Sequence, residues 1–548
     1  MNSQTTKYRL LFLTVNSSFS HSSLALPLLH TACKNLANWE WVRYDMTIAS
    51  DVMSALEEIY SYRCDLLATD LYLFNRQTAL EVLERYHTLA PSCRIVAGGP
   101  ECLGSGADEL LEKYPFLDCV FRGEGENIFR EYLENIFSRK RDFKGILPAD
   151  GNAVYEAWAN SPYPVTDQFF TADKPFVQIE TSRGCPMKCF YCTSGNTQTR
   201  YRTLEAVHEE LKLLSDRGVK EVRVLDRTFN LPQERGEALL RMFREDFPEM
   251  KFHLELHPQF LNDSLCQEIS RALPGQLHIE VGIQSLNSDV QQFSGRRSNT
   301  QAALDGLKFL CSSTAFETHA DLLAGLPGET LDHIISDTAT LMALDTAEIQ
   351  LEVLKALPGT PLREIAGKFG IKYSPNPPYD VMQTNTMTLS DMQKAKDLSR
   401  LLDITYNHRF LHIPVKAMSE ECKDFVVKLL EFFHQSAGSS STVWDLKKRF
   451  LFLLDFCHAN GLKTARRHLA YQWLLAGYLP NQGPDEYSQK VETVPEDAQL
   501  VSGDPACLNL RESRYWQFAL TDKIHYLAYN RQFALNRPAA IWLGEVRE

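Results

Sequence analysis

The sequence has no apolar run long enough for a membrane span or a signal core. The run Leu10–Val15 near its start is far too short for either. A cytosolic location is the default expectation, with no membrane partner. There is no excess of positive charge: 57 Lys and Arg stand against 70 Asp and Glu, a net charge of −13. A broad phosphate-binding surface needs a basic footprint, so nucleic acid is not an expected partner. The G-x-G-x-x-G fingerprint is also missing, which argues against NAD or FAD. Cysteine is not scarce, with 13 in the chain. In a cytosolic protein they are expected as thiols or metal ligands, not disulfides. Ten are scattered without close pairing and read as small buried side chains.

At 548 residues the chain is too long for one core, and about two to four domains are expected. The first part alternates apolar strands and amphipathic helices from Tyr8 to Phe137. That alternation predicts a doubly wound, Rossmann-like parallel sheet over residues 1–142. Ligands of such sheets bind beyond the carboxyl ends of the strands. Those ends carry Asn16, Ser17 and His21, then Asp70, then Gly98, Gly99 and Glu101, and finally Gly123, Glu124 and Glu126. Glycines there would let a large planar or phosphorylated ligand approach the backbone; the alternative reading of Gly98-Gly99-Pro100 is a tight strand-to-helix turn. Residues 143–174 are Pro-rich and without periodicity, and read as a linker.

The stretch Arg183-Gly184-Cys185-Pro186-Met187-Lys188-Cys189-Phe190-Tyr191-Cys192 holds the remaining three cysteines in a C-x3-C-x2-C array. It follows the strand-like run Phe176–Glu180. Three thiolates in one loop make a metal-cluster site with too few ligands to close it. A zinc site would want a second C-x2-C or Cys/His pair, and none follows. Six β-α units then run to Leu354, a pattern that predicts an open or partial barrel over residues 175–365. Its strand ends carry Asp226, Gln284 and Ser285, and the turn Gly325-Leu326-Pro327-Gly328-Glu329. Glu255 and Glu280 put charge on the strands themselves, where they either point outwards in ion pairs or line a ligand site.

These motifs resemble the radical S-adenosylmethionine superfamily. The signature is the C-x3-C-x2-C array with Tyr191 before its last cysteine, followed by Asp226-x-Thr228-Phe229-Asn230, Glu280-x-Gly282-Ile283-Gln284-Ser285 and Gly325–Glu329. The Gly-rich α/β part ahead of the barrel, with Leu351–Thr360 and Pro377-Pro378-Tyr379 after it, resembles the cobalamin-binding subgroup. Asn16 and the run His21–Leu26 resemble a branch of that subgroup with an uncharacterised helical C-terminal domain. The resemblance implies that Cys185, Cys189 and Cys192 ligate a 4Fe–4S cluster. Its fourth iron would take the amino-acid end of S-adenosylmethionine, and one electron would release a 5′-deoxyadenosyl radical. Tyr191 and the Gly325–Glu329 turn would face the adenine; Glu255, Gln284 and Ser285 would reach the ribose or the amino-acid part. Cobalamin would lie on the first sheet. Its lower face would meet loop residues near Asp70, because no D-x-H-x-x-G histidine occurs. The implied activity is methyl transfer to an unactivated carbon of a small molecule or peptide, with an electron donor of the flavodoxin or ferredoxin type. Oxidative cyclisation and rearrangement are related outcomes.

Two other functions compete. A methylthiotransferase needs a second cluster from N-terminal cysteines, and Cys33, Cys64 and Cys93 have the wrong loop context. A non-catalytic cobalamin or redox sensor would use the last part of the chain to bind a partner. That part, residues 366–548, shows helical periodicity from Ser390 to Tyr478 and predicts a mainly α-helical domain. Leu479–Arg511 reads as a loop. The aromatic stretch Tyr515–Trp542 reads as core packing or as a cavity wall. The clusters Lys447-Lys448-Arg449 and Arg466-Arg467-His468 read as solvated helix faces or as a peptide or tRNA contact.

Overall fold

The computed structural model of the chain describes residues 7–137, 144–195, 197–296, 298–436, 443–478, 483–484, 486–504, 513–520, 523–530, 538 and 540–545. The first sheet contains β1 (Tyr8–Asn16), β2 (Trp39–Thr47), β3 (Leu66–Asp70), β4 (Arg94–Gly98), β5 (Cys119–Phe121) and β6 (Gly145–Leu147). All pair in parallel, in the order β2-β1-β3-β4-β5-β6. Alternation along β1 sends Leu11, Leu13 and Val15 into one core and Leu10 and Phe12 into another. Helices cover both faces, as a parallel sheet requires. Ala25–Cys33 and Gly125–Asn135 lie on one, Val52–Ser61 and Arg76–Leu89 on the other.

Two of these strands are not legible in the sequence. The edge strand β2 has a single neighbour, and its mixture of Glu, Arg and Asp with Trp and Val masks the strand pattern. The short β6 falls inside the stretch read as a linker, yet it pairs with β5. From β1 the chain moves outward to β2 and returns on the other side of β1 with β3. The topological switch point therefore lies between the carboxyl ends of β1 and β3.

The second sheet contains β7 (Val177–Ile179), then, beyond the cysteine loop, β10 (Glu221–Val224), β11 (Lys251–Leu256), β12 (Leu277–Gln284), β13 (Glu317–Ala324) and β14 (Glu348–Val353). Its order is β14-β13-β12-β11-β10-β7. Between β7 and β10 lies a separate antiparallel hairpin, β8 (Ser182–Cys185) with β9 (Thr197–Tyr201). This is the partial barrel expected from the β-α repeats. In β11 and β12 every second residue is buried: Phe252, Leu254 and Leu256, then Leu277, Ile279, Val281 and Ile283. The intervening His253, Glu255, His278 and Glu280 share the other face. The inner face of the open barrel is polar, where a closed barrel would be packed with branched apolar side chains.

The chain divides into two compact units. One comprises residues 1–318, 323–330 and 353–392. It ends with a small hairpin of β15 (Lys372–Tyr373) and β16 (Val381–Gln383). The other comprises residues 319–322, 331–352 and 393–548. It contains the helices His412–Glu421, Phe425–Ser436, Leu446–Asn460 and Lys463–Leu475. Beyond them stands an antiparallel sheet that the sequence reading did not anticipate: β17 (Ser488–Val491), β18 (Gln499–Gly503), β19 (Ser513–Leu520), β20 (Lys523–Asn530) and β21 (Ala540–Glu545). Its order is β17-β19-β20-β21-β18. The aromatic stretch is its core: Phe518, Tyr526 and Tyr529 are buried, and the Tyr529 hydroxyl donates to the Leu474 carbonyl at 2.8 Å. Aromatic residues on both faces of β19 and β20 blur the period-two pattern that would have marked them as strands. The basic clusters also find partners within the chain. Arg466 pairs with Glu486 at 2.9 Å, and Lys448 lies over the Trp444 ring. Cys507 and Phe533 lie outside the described residues. Among the described residues no helix is long and apolar enough to cross a membrane.

Candidate cofactor site

Cys185 ends β8, and Cys189 and Cys192 lie on the loop that joins β8 to β9. Cys185 and Cys189 are buried and Cys192 is half-buried. Four anchors shape this loop. Asp226, at the end of β10, accepts the N–H groups of Thr181 and Ser182, each at 2.8 Å, and also the Thr181 hydroxyl. That fixes the backbone as it enters the array. Gly184 has φ +94°, and a Cβ there would stand 2.3 Å from the Gln198 carbonyl oxygen across the hairpin, so only glycine fits. The Cys185 N–H donates to the Thr197 hydroxyl at 3.0 Å. On the far side the Phe190 N–H donates to the Ser294 carbonyl at 2.9 Å.

The surroundings suit thiolates. The Thr228 hydroxyl lies 3.6 Å from Cys185 Sγ, and Arg296 Nη1 lies 3.8 Å from Cys189 Sγ. Burial pushes the Cys192 thiol up, while Arg227 draws it down. Among the described residues no three His, Cys, Asp or Glu side chains converge on one ion-sized point. The same region holds buried polar atoms without a hydrogen-bond partner: both ring nitrogens of His257, Gln291 Oε1 and Arg296 Nε. Buried polar groups in native proteins are nearly always satisfied, so this concentration marks a place that a polar ligand fills. The donor set and its orphaned neighbours fit a three-thiolate cluster with a ligand beside it.

The strand-end residues divide into two groups. Glu255 lies on the inner barrel face, 3.5 Å from Arg227, and burial raises its carboxyl pKa. Glu280 is its register partner on β12 and takes His253 Nε2 at 2.9 Å. Gln284 ends β12 with φ +70°, a left-handed backbone that a non-glycine residue adopts at a cost and that recurs at functional sites. These three border the open face. Asp226 and Ser285 do not. Asp226 is spent on the loop backbone, and the fully buried Ser285 accepts the Asn287 N–H at 3.2 Å. The turn after β13 puts Gly325 at φ +94° against Met392 and Gly328 against the Phe293 ring, with Glu329 buried.

On the first sheet the loops after β1 and β3 meet at the switch point. The Ser23 hydroxyl donates to Asp70 Oδ2 at 2.6 Å. Burial lifts the Asp70 carboxyl to about 6, partly offset by that bond, and its Oδ1 has no partner. Asn16 is buried, Ser17 half-buried, and His21 Nδ1 sits 2.8 Å from the Ser18 hydroxyl. These residues can face a ligand. The glycine-rich ends of β4 and β5 have a different use. Gly99 packs on the Leu71 backbone, so Gly98-Gly99-Pro100 is a tight turn. Gly123 has φ +96°, and a Cβ there would lie 2.4 Å from the Ala153 N, so its neighbour is the chain itself. Glu101 is bonded to Arg76 at 2.8 Å and accepts the Tyr379 hydroxyl at 2.9 Å. Glu126 pairs with Arg183 at 2.8 Å, and Glu124 with Arg183 at 3.3 Å and with Arg200.

Arg183 stands two residues before Cys185. It also pairs with Glu180 at 2.8 Å and lies over the Trp158 ring. The switch-point loop reaches the same junction: His21 packs edge-on against Phe176, and the Arg223 guanidinium covers that ring at 3.7 Å. The cysteine loop and the switch point are thus tied into one body. Sequence reasoning missed Arg183, Arg296 and His257. Each is a single residue outside a repeated pattern; only their closeness in the chain to Cys185, Gln284 and Glu255 hinted at them. A shallow groove of about 660 Å³ bordered by His87, Cys93 and Lys113 lies at the amino ends of the first sheet, remote from all of this.

An open βα barrel with three thiols at its mouth, joined to a doubly wound sheet at its switch point, defines the radical S-adenosylmethionine class with a cobalamin-type domain. Family models agree: "Radical SAM superfamily" matches residues 179–340, "B12 binding domain" residues 10–133, and "Protein of unknown function (DUF4080)" residues 367–497. The chain therefore carries a B12-binding domain, a radical SAM domain and a C-terminal domain of unknown function, in that order. It is 24% identical to the "Uncharacterized methyltransferase PH0819" of Pyrococcus horikoshii over 59% of this chain and 72% of that protein. It is 23% identical to the "Cobalamin-dependent radical SAM methyltransferase TokK" of Streptomyces tokunonensis, over 58% of this chain and 50% of that one. The chain therefore spans half to about three-quarters of the length of these two relatives. A tRNA-2-methylthio-N(6)-dimethylallyladenosine synthase of Staphylococcus epidermidis is 23% identical over 52% of this chain and 58% of its own. Among solved structures, the fold matches the cobalamin-dependent radical enzyme OxsB at TM-score 0.61 and 12% identity, covering 85% of this chain and 78% of that chain. It matches the methyltransferase TsrM from Kitasatospora setae at TM-score 0.55 and 18% identity, covering 68% and 82%.

Proposed function

We propose that the protein is a cobalamin-dependent radical S-adenosylmethionine methyltransferase acting on an unactivated carbon of a small molecule or peptide. One observation carries the reading: the ion pairs of Arg183 with Glu124 and Glu126 join the cysteine loop to the sheet whose switch point suits a second cofactor. Cys185, Cys189 and Cys192 would hold a 4Fe–4S cluster. Asn16, Ser17, His21 and Asp70 would border cobalamin. The bound cofactors supply the electron, the 5′-deoxyadenosyl radical and the methyl group.

The chain's own residues do the rest. Arg296 presents a cation beside Cys189 and suits the carboxylate of S-adenosylmethionine. Tyr191 and the Gly325–Glu329 turn suit the adenine. Glu255 and Gln284 suit the hydroxyl and amine groups. The apolar faces of β11 and β12 keep water out of the barrel wall. Location in the cytosol and an electron donor of the flavodoxin or ferredoxin type belong to the same reading. Methylation is favoured over cyclisation or rearrangement because two relatives carry methyltransferase names.

A methylthiotransferase would need Cys33, Cys64 and Cys93 together. Cys64 and Cys93 do meet, Sγ to Sγ at 3.7 Å, but Cys33 belongs to the core on the opposite face of the sheet. A non-catalytic sensor would leave S-adenosylmethionine intact. The test is anaerobic reconstitution with iron and sulfide, then dithionite and S-adenosylmethionine. The wild type is expected to form 5′-deoxyadenosine, and Cys185→Ser to form none. A protein that binds zinc tightly and takes up no cluster would contradict the reading.

A further inference from the structure

Two thiols outside the cofactor site lie against each other at the amino ends of the first sheet. Cys64 stands two residues before β3, and Cys93 one residue before β4. These strands are neighbours, and the Arg94 N–H donates to the Asp65 carbonyl at 3.0 Å, which holds the two segments side by side. The sulfur atoms come within 3.7 Å of each other. From the helix Arg76–Leu89 the buried Tyr86 hydroxyl reaches Cys64 Sγ at 3.1 Å. Cys93 also borders the groove of about 660 Å³ at this end of the sheet. Neither cysteine is sealed off: Cys64 is 7% exposed and Cys93 6%.

Other buried thiols of the same sheet are inert. Burial pushes Cys33 and Cys119 up to about 12, so both stay protonated near pH 7. Cys64 differs. The Cys93 thiol and the Tyr86 hydroxyl donate to its sulfur and hold its pKa below the ordinary thiol range, against the cost of burial, while Cys93 is raised in turn. The pair therefore gives up its first proton readily and its second with difficulty. A thiolate in contact with a thiol is the arrangement that thiol–disulfide exchange uses, one sulfur attacking and the other resolving. A bond of about 2.05 Å between the two sulfur atoms leaves a gap of about 1.6 Å to close.

We propose that Cys64 and Cys93 form a thiol–disulfide exchange site for a small-molecule disulfide, with Cys93, on the groove, as the entry thiol and Cys64 as the resolving one. Cys93 passes its proton to the Cys64 thiolate and attacks one sulfur of the incoming disulfide. A new S–S bond forms on Cys93, the incoming S–S bond breaks, and the released thiolate takes the proton back from Cys64. Cys64 then attacks Cys93 Sγ and expels the second thiolate, which takes a proton from solvent. The chain gives up two electrons and two protons, and the disulfide is reduced to two thiols. The site is separate from the proposed cofactor chemistry: β3 runs from the dithiol to Asp70, so the two lie at opposite ends of one strand.

The test uses the full-length protein under anaerobic conditions. It is treated with oxidised glutathione, denatured in N-ethylmaleimide to block every remaining thiol, digested and mapped by mass spectrometry. The wild type is expected to lose the free thiols of Cys64 and Cys93 together and to yield a Cys64–Cys93 linked peptide pair that dithiothreitol opens. Cys64→Ser is expected to stop at a glutathione adduct on Cys93, which the wild type does not accumulate. Cys93→Ser is expected to leave Cys64 free. If Cys64→Ser does not fold, Cys64→Ala carries the same comparison. A wild type that keeps both thiols free at every concentration of oxidised glutathione overturns the assignment. So does a wild type that accumulates the adduct on Cys93 without forming the link, since Cys64 then resolves nothing. An adduct on Cys64 in Cys93→Ser overturns the order of attack.

Discussion

Asp70 shows how burial charges a single residue with a cost that a ligand can use. Its carboxyl rises from an ordinary 3.8 to about 6 because the charged form is desolvated. Between those values the folded chain binds more protons than the unfolded chain, so this group's contribution to stability falls as pH rises from about 4 to about 6. Asp70→Asn should remove that slope. The stability gap in favour of the variant, read by chemical denaturation, should grow from near zero at pH 4 to on the order of 3 kcal/mol at pH 7. A constant gap would mean that Asp70 is not held protonated. The same scale shows how far residue chemistry was legible. The three cysteines stand within eight residues of one another, so their grouping is legible in the sequence. Glu101, Glu124, Glu126 and Asp226 were rightly placed at strand ends, but the sequence does not say what their oxygens bond. They hold the molecule's own arginines, tyrosine and backbone N–H groups.

At the scale of elements, two buried polar junctions tie the first sheet to the segments around the barrel. One is Arg183 with Glu124, Glu126 and Glu180. The other is Arg76 with Glu101 and Tyr379, which brings the Pro377-Pro378-Tyr379 segment onto the turn after β4. Glu101 and Arg76 are 2% and 6% exposed, so removing one leaves the other charge stranded. Glu101→Ala should cost about 3–5 kcal/mol in chemical denaturation. Tyr379→Phe, which removes a hydroxyl that donates to Glu101 and accepts from Arg76, should cost about 1.5–3 kcal/mol. A smaller loss for Glu101→Ala than for Tyr379→Phe would mean that the charge pair is solvated. Most elements were legible because helices and buried parallel strands carry strong periodicity. The β8–β9 hairpin was not. Its sequence is set by loop closure around the cysteines, with Gly184 at a left-handed angle, and not by a hydrophobic stripe.

For the whole molecule, the order of parts was legible from alternation alone: a doubly wound sheet, then an open barrel, then helices. The C-terminal sheet was not, since its strands carry aromatic residues on both faces. The central claim is that one body formed by the first sheet and the barrel carries two cofactors, a cluster on Cys185, Cys189 and Cys192 and a cobalamin at the β1–β3 switch point. The most direct measurement is cofactor stoichiometry by mass spectrometry and iron analysis, after anaerobic purification with hydroxocobalamin supplied. The account predicts about one cobalamin and about four irons per chain, with iron lost and cobalamin kept in Cys189→Ser. A protein that holds its full cluster while excluding cobalamin at every concentration supplied would contradict it.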